Sequence, residues 1–218
     1  MRPEILYPLF RPVTALKGVG GRTAAHLARL GLNRLVDLLW HLPTGLVDRR
    51  YRPTIAAARE GEVATLLVQV VEHQPSPPGG KRPYRVRCAD ATGEMDVVFF
   101  SAQRDYVAEM LPLGQERLLS GQVERFQGRL QMSHPDYILS PAAAASLPAL
   151  EPVYGLTQGL SSKTLRRLAE AALQDAPGLK EWHDPALIAR EGWPDWRAAL
   201  GAAHGPKEAT DMQPTAAA

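Results

Sequence analysis

The chain has 218 residues, 45% of them hydrophobic, and a formal net charge of +2. That length holds one large domain or two small ones with a packed core, and a total charge near zero says little about partners. A single cysteine, Cys88, excludes an internal disulfide framework and makes a reducing cytosol the expected setting, while no apolar run reaches the roughly 18–20 residues of a membrane span and no secretory signal or membrane partner is expected.

The distribution of charge is more informative than its sum. Residues 1–60 carry ten Lys/Arg against four Asp/Glu, whereas residues 61–140 carry eight against ten and residues 141–218 seven against nine. The basic excess surrounds Leu16-Lys17-Gly18-Val19-Gly20-Gly21-Arg22. Gly18 and Gly20 allow a tight turn. Ala24, Leu27, Ala28 and Leu30 then recur at helical spacing until Gly31. The free N–H groups at the start of such a helix suit a phosphate, and Lys17, Gly18, Gly20 and Arg22 are the candidate contacts. The spacing resembles a helix-hairpin-helix grip on a nucleic-acid backbone; a glycine-capped junction between two core helices is the alternative. A Walker A loop is excluded here, because Gly20-Gly21 is followed by Arg22-Thr23 rather than Lys-Ser or Lys-Thr. A second helix, carrying Leu35, Leu38, Leu39 and Leu42, stops at Pro43, and Asp48-Arg49-Arg50-Tyr51-Arg52 reads as a basic loop.

Residues 61–140 change to strand-length segments. Gly61 to about Gln74 is the first strand, and residues 75–80, rich in Pro and Gly, form a loop. Residues 84–89 alternate as the second strand, residues 90–93 turn, and residues 95–100 form the third. A short helix is expected over 102–111, a fourth strand over 117–126, a turn at Gln127-Gly128 and a fifth strand over 130–139. Five strands with a helix between the third and fourth is the order of an OB-fold barrel; a five-stranded barrel of another type is the alternative. Residues 141–204 return to helix, with Ser161 or Ser162 as the N-cap of one helix and a second helical stretch over 185–203. Residues 205–218 lack periodicity and are expected to be disordered or truncated. The fold class is therefore α+β: a helical segment over 1–60, a barrel over 61–140 and a helical linker over 141–204.

Alternation assigns faces on the barrel. Tyr84, Val86, Cys88, Met95, Val97 and Phe99 point inward; Arg85, Arg87, Asp96, Val98 and Phe100 point outward. The outer face then carries Lys81, Arg82, Arg85 and Arg87 for phosphates and the Phe100 ring for a base, which is the chemistry of single-strand binding. Tyr106 lies just beyond. The six histidines show no metal-ligand spacing. Cys88, on the apolar side of its strand, is expected to be a small buried residue rather than a nucleophile.

An ordered set of motifs runs through residues 10–206: Leu16-Lys17-Gly18-Val19-Gly20, Leu38-Leu39-Trp40-His41-Leu42-Pro43, Asp48-Arg49-Arg50-Tyr51, Phe99-Phe100, Gly128-Arg129-Leu130-Gln131-Met132-Ser133-His134-Pro135 and Tyr154-Gly155-Leu156-Thr157-Gln158-Gly159-Leu160. Together they resemble the N-terminal region of the RecG family of bacterial branch-migration helicases. The resemblance implies a wedge: an OB barrel that sits at a fork or four-way junction and splits the duplex while an ATP-driven motor pulls the DNA. It also implies that aromatic residues after the third strand stack on bases at the branch point, which by position are Phe100 and Tyr106. Branched DNA, single-stranded DNA and the motor domains are the implied partners, and the bacterial cytoplasm, at the nucleoid, the implied location. The chain departs from the family in one respect: no Gly-x-x-x-x-Gly-Lys-Ser/Thr run occurs in it. ATP and Mg²⁺ are thus expected only of motor domains outside this sequence, and the chain alone is expected to be non-catalytic and to bind no cofactor or metal.

Two other functions compete. A stand-alone OB protein for single-stranded nucleic acid would need the barrel but has little use for residues 155–204. A nuclease would need an acidic cluster, and only Asp90, Glu94 and Asp96 lie close together, at a hairpin turn where carboxylates usually bond backbone.

Overall fold

The computed structural model describes residues 3–76, 82–100 and 104–206. In chain order the elements are α1 (Gly21–Arg29), α2 (Leu35–Trp40), β1 (Gly45–Asp48), β2 (Val63–Gln74), β3 (Tyr84–Asp90), β4 (Gly93–Phe99), α3 (Arg104–Met110), β5 (Glu116–Gln122), β6 (Glu124–Phe126), β7 (Arg129–Ser133), β8 (Tyr137–Leu139), β9 (Leu150–Val153), α4 (Ser162–Gln174), α5 (Pro185–Glu191) and α6 (Trp196–His204). They form two compact units. One joins the chain up to Val47 with the chain from Leu150; the other is Asp48–Ala149. The successive division expected at residues 60 and 140 is therefore replaced by a barrel inserted into a helical unit.

The helical unit is discontinuous in sequence, and the apolar faces of its first two helices are covered by helices from the second part. α1 has nine residues and α2 six. Leu27, Leu35, Leu38 and Leu39 of these helices pack with Leu165, Leu168 and Ala172 of α4 and Leu200 of α6 in a single core. Among the described residues, what reads as a linker thus supplies seven of the sixteen buried residues of that core. α1 ends as its sequence dictates: Gly31 takes φ +77°, the Leu32 N–H reaches the Leu27 carbonyl and the Gly31 N–H reaches that of Ala28, which is the Schellman pattern. The Asp37 carboxylate starts α2 by accepting the N–H groups of Asn33 and Arg34 at 2.9 and 2.8 Å. Ser161, rather than Ser162, caps α4 through the Thr164 N–H. The expected stretch over 185–203 is two helices. Gly192, at φ +64°, ends α5, and the Asp195 side chain restarts the chain as α6 by accepting the Ala198 N–H. β1 pairs with β9 where the chain leaves and re-enters this unit.

In the barrel unit the strand order is β6-β7-β4-β3-β2-β5-β8. The expected fourth strand is β5 and β6, interrupted at Val123; the expected fifth is β7 and β8, interrupted at His134 and Pro135. Each of these two strands bends so that its halves pair at opposite ends of the series, and this closes the barrel. β4 pairs with β7 in parallel, while β2 pairs with β3 and with β5 antiparallel. The β6–β7 turn has Gln127 at φ +49° and Gly128 at φ +80°, the two positive values a tight hairpin requires. With α3 between β4 and β5, the architecture is the expected α+β barrel. Its interior holds Val86, Cys88, Met95, Val97, Phe99, Leu119 and Met132. Burial, with a smaller contribution from Asp96, pushes the Cys88 thiol up to about 12, so it is an inert core residue. No helix among the described residues is long and apolar enough to cross a membrane.

Candidate nucleic-acid interface

The end of β4 carries the most exposed ring of the barrel. Alternation buries Phe99, at 6% exposure, and projects Phe100, at 64%. Tyr106, on α3, is 55% exposed. Phe100 is displayed but not loose. Its backbone N–H donates to His134 Nε2 at 3.0 Å, and its ring lies 5.5 Å from the His134 ring at a 35° tilt. His134 also meets the edge of Phe99, with ring centroids 5.7 Å apart. His134 has φ +46° and precedes Pro135; a left-handed residue other than glycine costs on the order of 1–3 kcal/mol.

Two residues expected to face outward on β4 do not reach solvent: Asp96 is 5% exposed and Val98 1%. β4 is paired on both sides, by β3 and β7, and its outer face is roofed. Arg85 bonds Asp96 at 3.2 Å and lays its guanidinium over the Phe126 ring at 5.6 Å. These groups line a groove of about 620 Å³ whose rim also carries Arg82, Gln127 and Arg129. Arg87 is held by Glu72 at 3.2 Å and Glu94 at 3.8 Å. Of the four expected phosphate contacts on this face, Arg82 is exposed, Arg85 and Arg87 are engaged by carboxylates, and Lys81 lies outside the described residues.

The acidic trio is committed to protein partners. Asp90 caps the β3–β4 turn, accepting the N–H groups of Thr92 and Gly93 at 2.7 and 3.0 Å and that of Ile55 at 2.7 Å. Burial pushes its carboxyl up, but the bonds from Thr92, Ile55 and Gly93 outweigh this and leave it below the usual carboxylate range. Asp96 and Glu94 are taken by Arg85 and Arg87. Among the described residues no cluster of three or more His, Cys, Asp or Glu could hold a metal ion. The basic loop is also structural in part. Arg49 is buried, bonding Ser120 Oγ at 3.1 Å and Asp136 at 3.0 Å, and Arg50 bonds Asp48 at 2.6 Å.

In the helical unit, Lys17, Gly18, Gly20 and Arg22 are all exposed around the glycine turn. Gly18 takes φ +85°, and a Cβ there would sit 3.0 Å from the Arg167 guanidinium, so α4 adds a cation to this turn that the local sequence did not reveal. The hairpin is incomplete: its first arm is a 3₁₀ turn, Val13–Ala15, rather than a helix.

A family model described as the RecG wedge domain matches residues 12–175. The chain belongs to the RecG wedge-domain family. Among its relatives are the ATP-dependent DNA helicases RecG of Pasteurella multocida, 34% identical over 167 residues, and of Escherichia coli K12, 31% identical over 182 residues. These matches cover 74% and 81% of the chain but 23% and 26% of the relatives. The chain thus spans about a quarter of the length of the curated relatives it matches. A solved structure of RecG bound to a three-way DNA junction superposes with a TM-score of 0.75 at 22% identity, covering 94% of this chain and 28% of that one, which establishes the shared fold.

Phe126, Arg129, His134 and Arg167 are the candidate interface residues missed by sequence reasoning. Phe126 and Arg129 flank the Gln127-Gly128 turn, and a hairpin tip beside a basic strand was the available signal. His134 sits in the Ser133-His134-Pro135 motif, whose part in holding Phe100 depends on the bend between β7 and β8.

Proposed function

We propose that this chain is the branch-recognition wedge of a RecG-like helicase, a DNA-binding region that engages forks and four-way junctions in recombination and replication-fork repair. The observation that carries this reading is Phe100: a large ring, 64% exposed, at a strand end whose neighbour Phe99 is buried. An exposed aromatic surface fixed by the backbone can cap the last base pair of a duplex, because a base–ring stack contributes about 1–3 kcal/mol without reading sequence. The groove lined by Arg82, Arg85, Phe126 and Arg129 supports an adjacent single-strand path. Exposed Lys17 and Arg22, with Arg167 at the glycine turn, support a further backbone contact by the helical unit. Tyr106 is assigned a secondary stacking role. In this reading the chain binds no cofactor of its own; ATP and Mg²⁺ belong to the remainder of the full-length relatives. It works in the cytoplasm, at the nucleoid.

The test compares affinity for a fork, a four-way junction, single-stranded DNA and linear duplex. Phe100→Ala should weaken fork binding by roughly 5- to 150-fold and leave duplex binding within about 2-fold. Equal wild-type affinity for fork and duplex at every salt concentration refutes branch recognition. The groove favours a second reading, a stand-alone binder of single-stranded nucleic acid; single strands bound more tightly than any fork would select it.

A further inference from the structure

We infer that His134 is a positioning residue for the stacking platform: its imidazole replaces the missing rung of the β4–β7 ladder and thereby sets the Phe100 ring. The inference rests on the branch-stacking role proposed for Phe100. The parallel pairing of β4 with β7 runs through Val98↔Ser133 and stops there. The next rung begins normally, with the His134 N–H donating to the Val98 carbonyl at 2.9 Å. In a continued parallel ladder the same residue would return its carbonyl to the N–H of Phe100. His134 instead turns to φ +46° and leaves the extended conformation. The Phe100 N–H is met by Nε2 of the side chain, at 3.0 Å.

This substitution has a directional consequence. A carbonyl acceptor would tie the Phe100 backbone but place nothing beside its ring. The imidazole does both: it accepts the N–H and lies against the Phe100 ring at 5.5 Å, while its other contact, on the edge of buried Phe99 at 5.7 Å, anchors it to the core. The exposed ring is therefore indexed to the barrel interior through one side chain. Because Nε2 accepts, the proton of the neutral ring sits on Nδ1. An ordered platform loses less side-chain freedom when a base arrives, so removing His134 should reduce stacking without removing the stacking ring.

The experiment uses the full chain and a fork with 2-aminopurine in the base pair at the branch, reading fluorescence and affinity together. Phe100→Ala should abolish the stacking-dependent fluorescence change. His134→Gly keeps a residue that accepts positive φ and removes both the acceptor and the ring. It should melt as a folded protein, lower fork affinity by roughly 3- to 20-fold, diminish the fluorescence change and leave duplex affinity alone. His134→Gln restores an acceptor at similar reach without the ring and should fall between His134→Gly and wild type in both readouts, which also covers the case in which the glycine variant does not fold. If Phe100→Ala loses fork affinity while folded His134→Gly or His134→Gln keeps wild-type affinity and fluorescence, the inference is overturned and the stacking role stands. If Phe100→Ala itself binds the fork like wild type, the stacking role falls and the inference falls with it.

Discussion

Each unit ties the end of a helix with a chain of three groups. In the barrel unit Tyr84 donates to His73 Nδ1 at 2.8 Å, and His73 Nε2 donates to the Leu111 carbonyl, just past α3, at 2.7 Å. In the helical unit Tyr154 donates to His204 Nδ1 at 3.0 Å, and His204 Nε2 donates to the Leu39 carbonyl, in the last turn of α2, at 2.9 Å. The chemistry is the same: an orphan helix carbonyl gains a donor, and the histidine is held in one tautomer. The difference is solvent. His73 is half-buried, whereas His204 is 3% exposed and, with Leu200, is one of the buried residues of α6. The barrel's link is open to solvent at its histidine, although Tyr84 is as buried as Tyr154; that of the helical unit is closed at both.

Core truncation in the barrel gives the largest effect. Phe99→Ala should cost about 3–5 kcal/mol of stability, read by urea denaturation, while Phe100→Ala, one residue on, should leave the midpoint nearly unchanged. The reverse outcome would mean that the strand faces are exchanged. Next in size is the link itself. Tyr154→Phe strands the buried Nδ1 lone pair of His204 and should cost about 1–3 kcal/mol. Tyr84→Phe should cost clearly less, because water can serve His73; equal costs would erase the contrast. Burial lowers the His204 pKa, its bond to the Leu39 carbonyl offsets part of this, and His41 lowers it by a smaller amount. Above pH 6.5 the ring is neutral folded or unfolded. Below it the unfolded chain takes the proton first, so this contribution falls as pH drops from about 6.5 through the lowered folded value. The gap in melting temperature between wild type and His204→Gln should therefore narrow between pH 7.5 and 5.5. The smallest effect separates an exposed cation from an engaged one on the barrel. Arg129→Gln should lower the log–log salt slope of single-strand binding by about 0.7 if it meets a phosphate. Arg87→Gln, whose guanidinium is held by Glu72 and Glu94, should change that slope little.

The barrel was legible because its signals are local. Alternation along residues 84–89 and 95–99 placed Val86, Cys88, Val97 and Phe99 inside, and the turns at Asp90 and Gln127-Gly128 stand where turn chemistry puts them. What alternation could not show is that two strands bend, at Val123 and at His134-Pro135, to close the sheet on itself. Nor could it show that Arg85 and Phe126 cover Asp96, because that roof joins strands distant in sequence. The helical unit was legible only element by element. Ser161 and Gly31 mark real helix ends, but nothing near Leu35 or Leu39 signals that their partners are Leu165 and Leu168. The exposed Phe100 followed from register; the His134 that holds it did not, since a left-handed histidine before a proline carries no periodicity.

The insertion of one unit into the other also bears on the order of folding. The helical core needs residues on both sides of Asp48–Ala149, and bringing them together across a disordered segment of about a hundred residues costs on the order of 4 kcal/mol in loop closure. The barrel needs no such help, because all its strands lie within that segment. Once it is formed, the Arg49 N–H bonds the Ala149 carbonyl at 2.8 Å, which brings the two exits of the segment side by side. A formed barrel therefore replaces a closure across about a hundred residues with a short one, which lowers the entropic cost of bringing α2 and α4 together.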